Sequence, residues 1–116
     1  MKEEKRRFSV IGGLLPVLVA YLLYRYGDMY GYEIKKRIEE RYPKKLPQGM
    51  IYVVLKRLTN SGIILSYEKD GKKYYKLTEN GKEFLVYHLI VLSNAKSIIE
   101  EILNYFSEEG SKSHNS

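Results

Sequence analysis

Apolar and polar positions alternate along this chain in a few distinct rhythms, and each rhythm predicts an element. Residues Val10–Tyr24 form a 15-residue apolar run broken by Gly12, Gly13 and Pro16. A helix over about Leu14–Tyr26 fits it, with Pro16 in the first turn, where its missing N–H is harmless. Gly27-Asp28 ends that helix, and Asp28 is placed to cap the next. Tyr30, Ile34, Ile38 and Tyr42 then recur every four residues, the stripe of a second helix, with Lys35, Lys36 and Arg37 pointing away. Pro43 stops it, and Pro43–Pro47 reads as a stiff connector.

A third helix is expected over Gln48–Leu58. Ile51, Val54, Leu55 and Leu58 share one face, and Gly49, Val53, Lys56 and Asn60 fall opposite, flanked by Tyr52 and Arg57. Asn60-Ser61-Gly62 supplies its stop. Two β-prone runs, Ile63–Lys69 and Lys72–Leu77, are then joined by Asp70-Gly71. Asp-Gly between such runs is a strong two-residue hairpin signal, because both turn positions need positive φ. Thr78 offers an N-cap for a long last helix. There Leu85, Leu89, Leu92, Lys96, Ile99, Leu103 and Phe106 alternate spacings of four and three, with Phe84, Val91, Ala95, Ile98 and Ile102 in an adjoining seam. From Glu79 to Phe106 this helix would be about 42 Å long, too long for the preceding globule to cover. A second copy of the chain is the simplest cover, which makes Leu85, Leu89, Leu92, Ala95, Ile99, Ile102, Leu103 and Phe106 the candidate dimer interface.

The expected fold is mainly α with a small β-hairpin wing: a winged helix-turn-helix followed by a long C-terminal dimerisation helix. Its divisions are a basic N-terminal arm over residues 1–13, with Lys2, Lys5, Arg6 and Arg7, and a winged-helix domain over 14–78. The dimerisation helix follows over 79–106, and a polar, disordered tail over 107–116. A winged helix places its reading helix in a DNA major groove and lays its ribbon along the phosphates. At 116 residues the chain is one domain with an appended segment.

Charge sharpens this picture. The chain carries a formal +6. Residues 1–82 hold 18 Lys or Arg against 9 Asp or Glu, and residues 83–116 hold 2 against 5. The basic character therefore belongs to the hairpin-bearing part, as a polyanion partner would require. Candidate DNA-binding residues are Gln48, Gly49, Met50, Tyr52, Val53, Lys56 and Arg57 at the third helix, and Lys69, Lys72, Lys73 and Lys76 on the wing. Gln48 can pair with adenine, Lys56 can reach guanine or phosphate, and Val53 can touch a thymine methyl. Gly49 would let the backbone approach a phosphate. The wing lysines would neutralise phosphates without reading bases, although Lys on a hairpin also discourages edge pairing.

Other classes find less support. Cysteine is absent, which excludes disulfides and thiolate chemistry. His88 and His114 lack partners at metal-ligand spacing, so no metal and no cofactor are expected. No nucleophile motif, Walker loop or H-x-x-x-H pair occurs, which argues against an enzyme. The run Val10–Tyr24 is shorter than the ~20 residues a bilayer requires, so no membrane partner is expected and the location is cytoplasmic, on DNA. Lys96 in the heptad row snorkels or sets register. Tyr21, Tyr24, Tyr30, Tyr32, Tyr42 and Tyr87 could line an aromatic effector cavity, but filling of core and rim is the better reading.

Three motifs in order resemble the PadR-type transcriptional regulators: Tyr30-Gly31-Tyr32-Glu33-Ile34, then Gly49-Met50-Ile51-Tyr52 with Leu55 and Leu58, then Tyr74-Tyr75-Lys76-Leu77-Thr78-Glu79-Asn80-Gly81. The resemblance spans about Leu14–Leu85 by motif and the last helix by position. It implies a winged-helix homodimer that binds double-stranded DNA at near-palindromic operators, mostly as a repressor, with room for a small-molecule effector near the dimer interface. Met50 stands where the family has Ser or Thr, and Val53 where it has Pro, so operator sequence does not carry over. The alternatives are an architectural protein coating DNA without sequence preference, and an interaction module whose heptad helix docks a partner.

Overall fold

The computed structural model describes residues 10–42 and 46–115. Helix α1 spans Val10–Tyr26. It starts four residues ahead of the expected Leu14, so Pro16 lies inside the helix and not in its first turn. The apolar run extends the helix upstream, and the proline forgoes a single hydrogen bond, to the carbonyl of Gly12. The expected basic arm thus loses residues 10–13 to the helix, and its residues 1–9 lie outside the described residues. Gly27, at φ 85°, ends α1 and donates its N–H to the Leu23 carbonyl at 3.0 Å.

Strand β1, Met29–Tyr30, was not expected; two residues are too few to show a period. It pairs antiparallel with the second hairpin strand through Met29↔Tyr75 and Tyr30↔Tyr74. Helix α2 follows over Gly31–Glu39 with Tyr30, not Asp28, at its N-cap. The Glu33 carboxylate accepts from the Tyr30 N–H at 3.3 Å, which supplies half of a capping box. Asp28 instead accepts a 2.7 Å hydrogen bond from the Tyr67 hydroxyl, which also raises the pKa of that phenol. The helix stops short of Tyr42, because Arg41 and Tyr42 turn their N–H groups back on Ile38 and Glu39 in tighter i→i+3 bonds. Of the expected connector, residues 43–45 lie outside the described residues.

Helix α3 spans Met50–Asn60, beginning after Gln48 and Gly49 and not with them. Its buried residues are Ile51, Val54, Leu55 and Leu58, the face the spacing predicts. It closes in a Schellman motif: Gly62, at φ 75°, donates to Thr59, and Ile63 donates to Leu58. Strands β2, Ile64–Lys69, and β3, Lys72–Leu77, form the hairpin, with Asp70 at φ 52° and Gly71 at φ 74°. Both turn residues take the positive φ a type I′ turn demands. The sheet has three strands in the order β1-β3-β2.

Helix α4 spans Glu79–Asn115. Thr78 caps it: its Oγ1 accepts from the Gly81 N–H at 3.0 Å and donates toward the carbonyls of Gly62, at 2.6 Å, and Ile63. The helix continues nine residues beyond Phe106, so a disordered tail from Ser107 is not what forms. Extending an existing helix adds one hydrogen bond per residue without a new nucleus, and polar Ser, Glu and Lys tolerate that.

Two compact units divide at Leu85. In the first, Leu15, Val19, Leu22, Ile34, Ile38, Leu55 and Ile64 are essentially solvent-free, joining three helices and the sheet in one core. Leu85, expected in the dimer seam, is buried in this core at 8% exposure. In the second unit, from Val86 onward, Leu89, Ile99, Ile102, Leu103 and Phe106 are exposed, while Leu92 and Ala95 are half-buried. Lys96 is exposed and lies 3.8 Å from Glu100 one turn on.

Candidate nucleic-acid interface

The candidate DNA-binding residues of α3 share a surface because the helix hides one face and cannot hide the other. With Ile51, Val54, Leu55 and Leu58 buried, the 3.6-residue period turns Tyr52, Val53, Lys56 and Arg57 outward; Tyr52 is 47% and Val53 53% exposed. Beside this face stands the hairpin. A cleft of about 710 Å³ separates them, lined by Tyr30, Gly31 and Tyr32 at the start of α2, by Tyr52, Lys56, Thr59 and Asn60 of α3, and by Lys72, Lys73 and Tyr75 of β3. Three lysines and no acidic residue are among the residues that line it. Among the described residues no ion pair engages Lys56, Lys72 or Lys73. An array of unpaired cations beside phenol hydroxyls suits a run of phosphates.

Other expected residues lie around this cleft. Gln48, Gly49, Met50, Val53 and Arg57 line a separate hollow of about 420 Å³ with Leu15, Pro47 and Val54. Gln48 and Gly49 are exposed ahead of the helix, and Met50 is half-buried. Gly49 sits at φ 83° with open space where a Cβ would be, so it is the backbone conformation that calls for glycine. Lys69, Lys72 and Lys76 lie on the outer face of the hairpin with Tyr67 and Tyr74, since cross-strand partners share a face. Lys73 falls on the other face with buried Tyr75 and Leu77. Burial, together with the nearby Tyr52, raises the pKa of Tyr75.

Two lining residues carry a different role from the one the sequence suggested. Tyr30 and Tyr32 belong to the α3–wing cleft and stack on each other, with centroids 6.3 Å apart. Tyr21 instead accepts from Arg25 at 2.6 Å, and Tyr24 and Tyr87 are exposed, so these tyrosines do not form one aromatic cavity. Thr59 and Asn60 were not anticipated at the site. The pairing of β1 with β3 brings Tyr30 beside the wing, and no local signal marks it.

Among the described residues no group of His, Cys, Asp or Glu could hold a metal ion, and no helix is long and apolar enough to cross a membrane.

Comparison with known proteins bears directly on this arrangement. Residues 19–86 match the model of the Transcriptional regulator PadR-like family. A PadR family transcription regulator from Clostridium difficile R20291 is 33% identical, with a TM-score of 0.68 over 78% of this chain and 98% of that one. A transcriptional regulator from Clostridium thermocellum is 29% identical, with a TM-score of 0.69 over 79% and 92%. The protein TA0346 of Thermoplasma acidophilum is 31% identical, with a TM-score of 0.72 over 82% and 95%. No curated protein sequence matches significantly.

Proposed function

The chain belongs to the PadR-like family of DNA-binding transcription regulators, and from that premise we propose that it is a homodimeric repressor of near-palindromic operators, acting on DNA in the cytoplasm. The observation that carries this reading is the shared cleft: Lys56 on the exposed face of α3 and Lys72 and Lys73 on the wing line one carboxylate-free space. The exposed residues Tyr52 and Val53 would enter the major groove, and the wing would follow the adjoining phosphates. Dimerisation is supported by the second unit. Its exposed Leu89, Ile99, Ile102, Leu103 and Phe106 leave an apolar seam on a single helix, and an identical helix would cover it. Two α3 helices held this way would address half-sites roughly 34 Å apart.

Selection of bound duplexes from a random pool tests the proposal. A two-fold symmetric motif with half-sites one helical turn apart is the expected product. Enrichment of no motif would replace sequence-specific regulation with architectural coating of DNA. Two variants separate the roles of the cations. Lys72→Ala combined with Lys73→Ala should weaken cognate and random duplexes alike. It should also flatten the dependence of log K on log salt by about 0.9 per lost phosphate contact, measured by titrations at several salt concentrations. Lys56→Ala should cost about 1–3 kcal/mol on the selected site and less on random duplex if the side chain reads a base. Equal losses on both would make Lys56 a third phosphate contact, in keeping with its place beside Lys72 and Lys73.

A further inference from the structure

We propose that Tyr30 is a positioning residue for DNA binding, its ring holding the Lys72 ammonium at the edge of the α3–wing cleft; this rests on the DNA-binding reading above. The hairpin register sets Lys69 directly opposite Lys72 next to the turn, so two like charges share one face at the tip. Opposed like charges destabilise an antiparallel pair and drive the side chains apart. Each ammonium finds a different phenol ring. The Lys72 Nζ lies 4.3 Å from the Tyr30 centroid, and the Lys69 Nζ lies 5.8 Å from that of Tyr74. The negative face of an aromatic ring attracts a cation at such distances.

Tyr30 is well fixed for this task. Its ring stacks on Tyr32 with an interplanar angle of 20° and meets Tyr74 at 5.8 Å, while its backbone pairs with Tyr74 and donates to Glu33. Tyr30 and Lys72 both line the cleft, together with Lys56. A lysine on a free four-carbon stem must give up rotamer freedom when it meets a phosphate. One already confined by a rigid ring gives up less, and its remaining N–H donors stay available to the anion. The ring thereby links the wing tip to the start of α2.

The test pairs affinity for a random-sequence duplex with the NMR resonances of the Lys72 side chain in the full chain. Ring current from Tyr30 should shift the Lys72 resonances upfield in the wild type and in Tyr30→Phe, and the shift should vanish in Tyr30→Leu. Tyr30→Leu should bind duplex about two- to fivefold more weakly, and Tyr30→Phe, which keeps the ring, should recover most of that loss. In a Lys72→Ala background Tyr30→Leu should add no further loss. An undiminished loss in that background, or equal losses from Phe and Leu, overturns the proposal. So does normal duplex binding by a wild-type chain whose Lys72 shows no ring-current shift, an observation that stands even if Tyr30→Leu fails to fold. A wild-type chain that shows the shift yet ignores duplex in dilute salt overturns the DNA-binding reading, and the positioning role with it.

Discussion

Gly81→Ala is expected to destabilise the winged unit by about 3 kcal/mol, the upper end for forced overpacking of a well-filled interior. A methyl group at this position would collide with the Ile63 carbonyl oxygen and crowd the Leu77 side chain, 2.5 Å from its Cδ1. The carbonyl cannot yield easily, because it accepts from the Thr78 N–H at 3.1 Å and from the Thr78 hydroxyl. The first turn of α4 is thus pressed against the end of the Schellman motif that closes α3, and only glycine permits that approach. Thermal unfolding should fall by roughly 10–25 °C for a unit of this size. Gly110→Ala makes the opposite-sign control. Gly110 lies in the same helix with open space around it, so alanine there should stabilise by up to about 1 kcal/mol through helix propensity alone. Equal effects at both sites in a thermal melt would refute the steric account of Gly81.

Ile99→Glu combined with Leu103→Glu should separate the proposed dimer into single chains. Both residues are exposed on the single chain, at 46% and 62%, and neither belongs to its buried core, so their replacement disturbs little packing within it. Two carboxylates per helix would meet their counterparts in a desolvated seam, a juxtaposition no dimer of this kind can accommodate. Linking two reading heads multiplies affinity for a double site by about 10²–10⁴, so the variant should lose on the order of 100-fold or more on a full operator. Its affinity for a duplex bearing one half-site should change little. Sedimentation reads the mass and anisotropy titrations read the two affinities. A variant that keeps the mass of a dimer would remove this seam from the interface.

Much of the fold was legible because it follows from local rules. The stripe Ile51, Val54, Leu55, Leu58 specified which side of α3 would be buried, and so which residues would face outward. Asp70-Gly71 specified the hairpin and its register, since a type I′ turn admits few other residues. Thr78 was recognisable as a cap by its place before a long helical pattern. Local rules do not decide where one residue has two suitable tasks. Asp28 could cap α2 by composition, yet the Tyr67 hydroxyl, 39 residues away, claims its carboxylate. Leu85 satisfies the heptad rhythm, yet the first unit buries it. The end of α4 is not legible in the sequence, because a polar tail lacks the apolar period by which a helix is recognised.

Of the candidate site, the wing lysines and the outer face of α3 could be listed from spacing alone, and their gathering into one cleft could not. Sequence by itself determined the four helices and the hairpin, their order, the exposed faces and the excess of cations in the first 82 residues, because periodicity, turn chemistry and charge are properties of neighbouring residues. Tertiary structure alone decided that Tyr30 meets Lys72, that Asp28 meets Tyr67 and that Gly81 lies against Ile63. Each of these contacts joins segments far apart along the chain. Their geometry is set by how the shared core brings the sheet and helices together, which no short window of residues encodes.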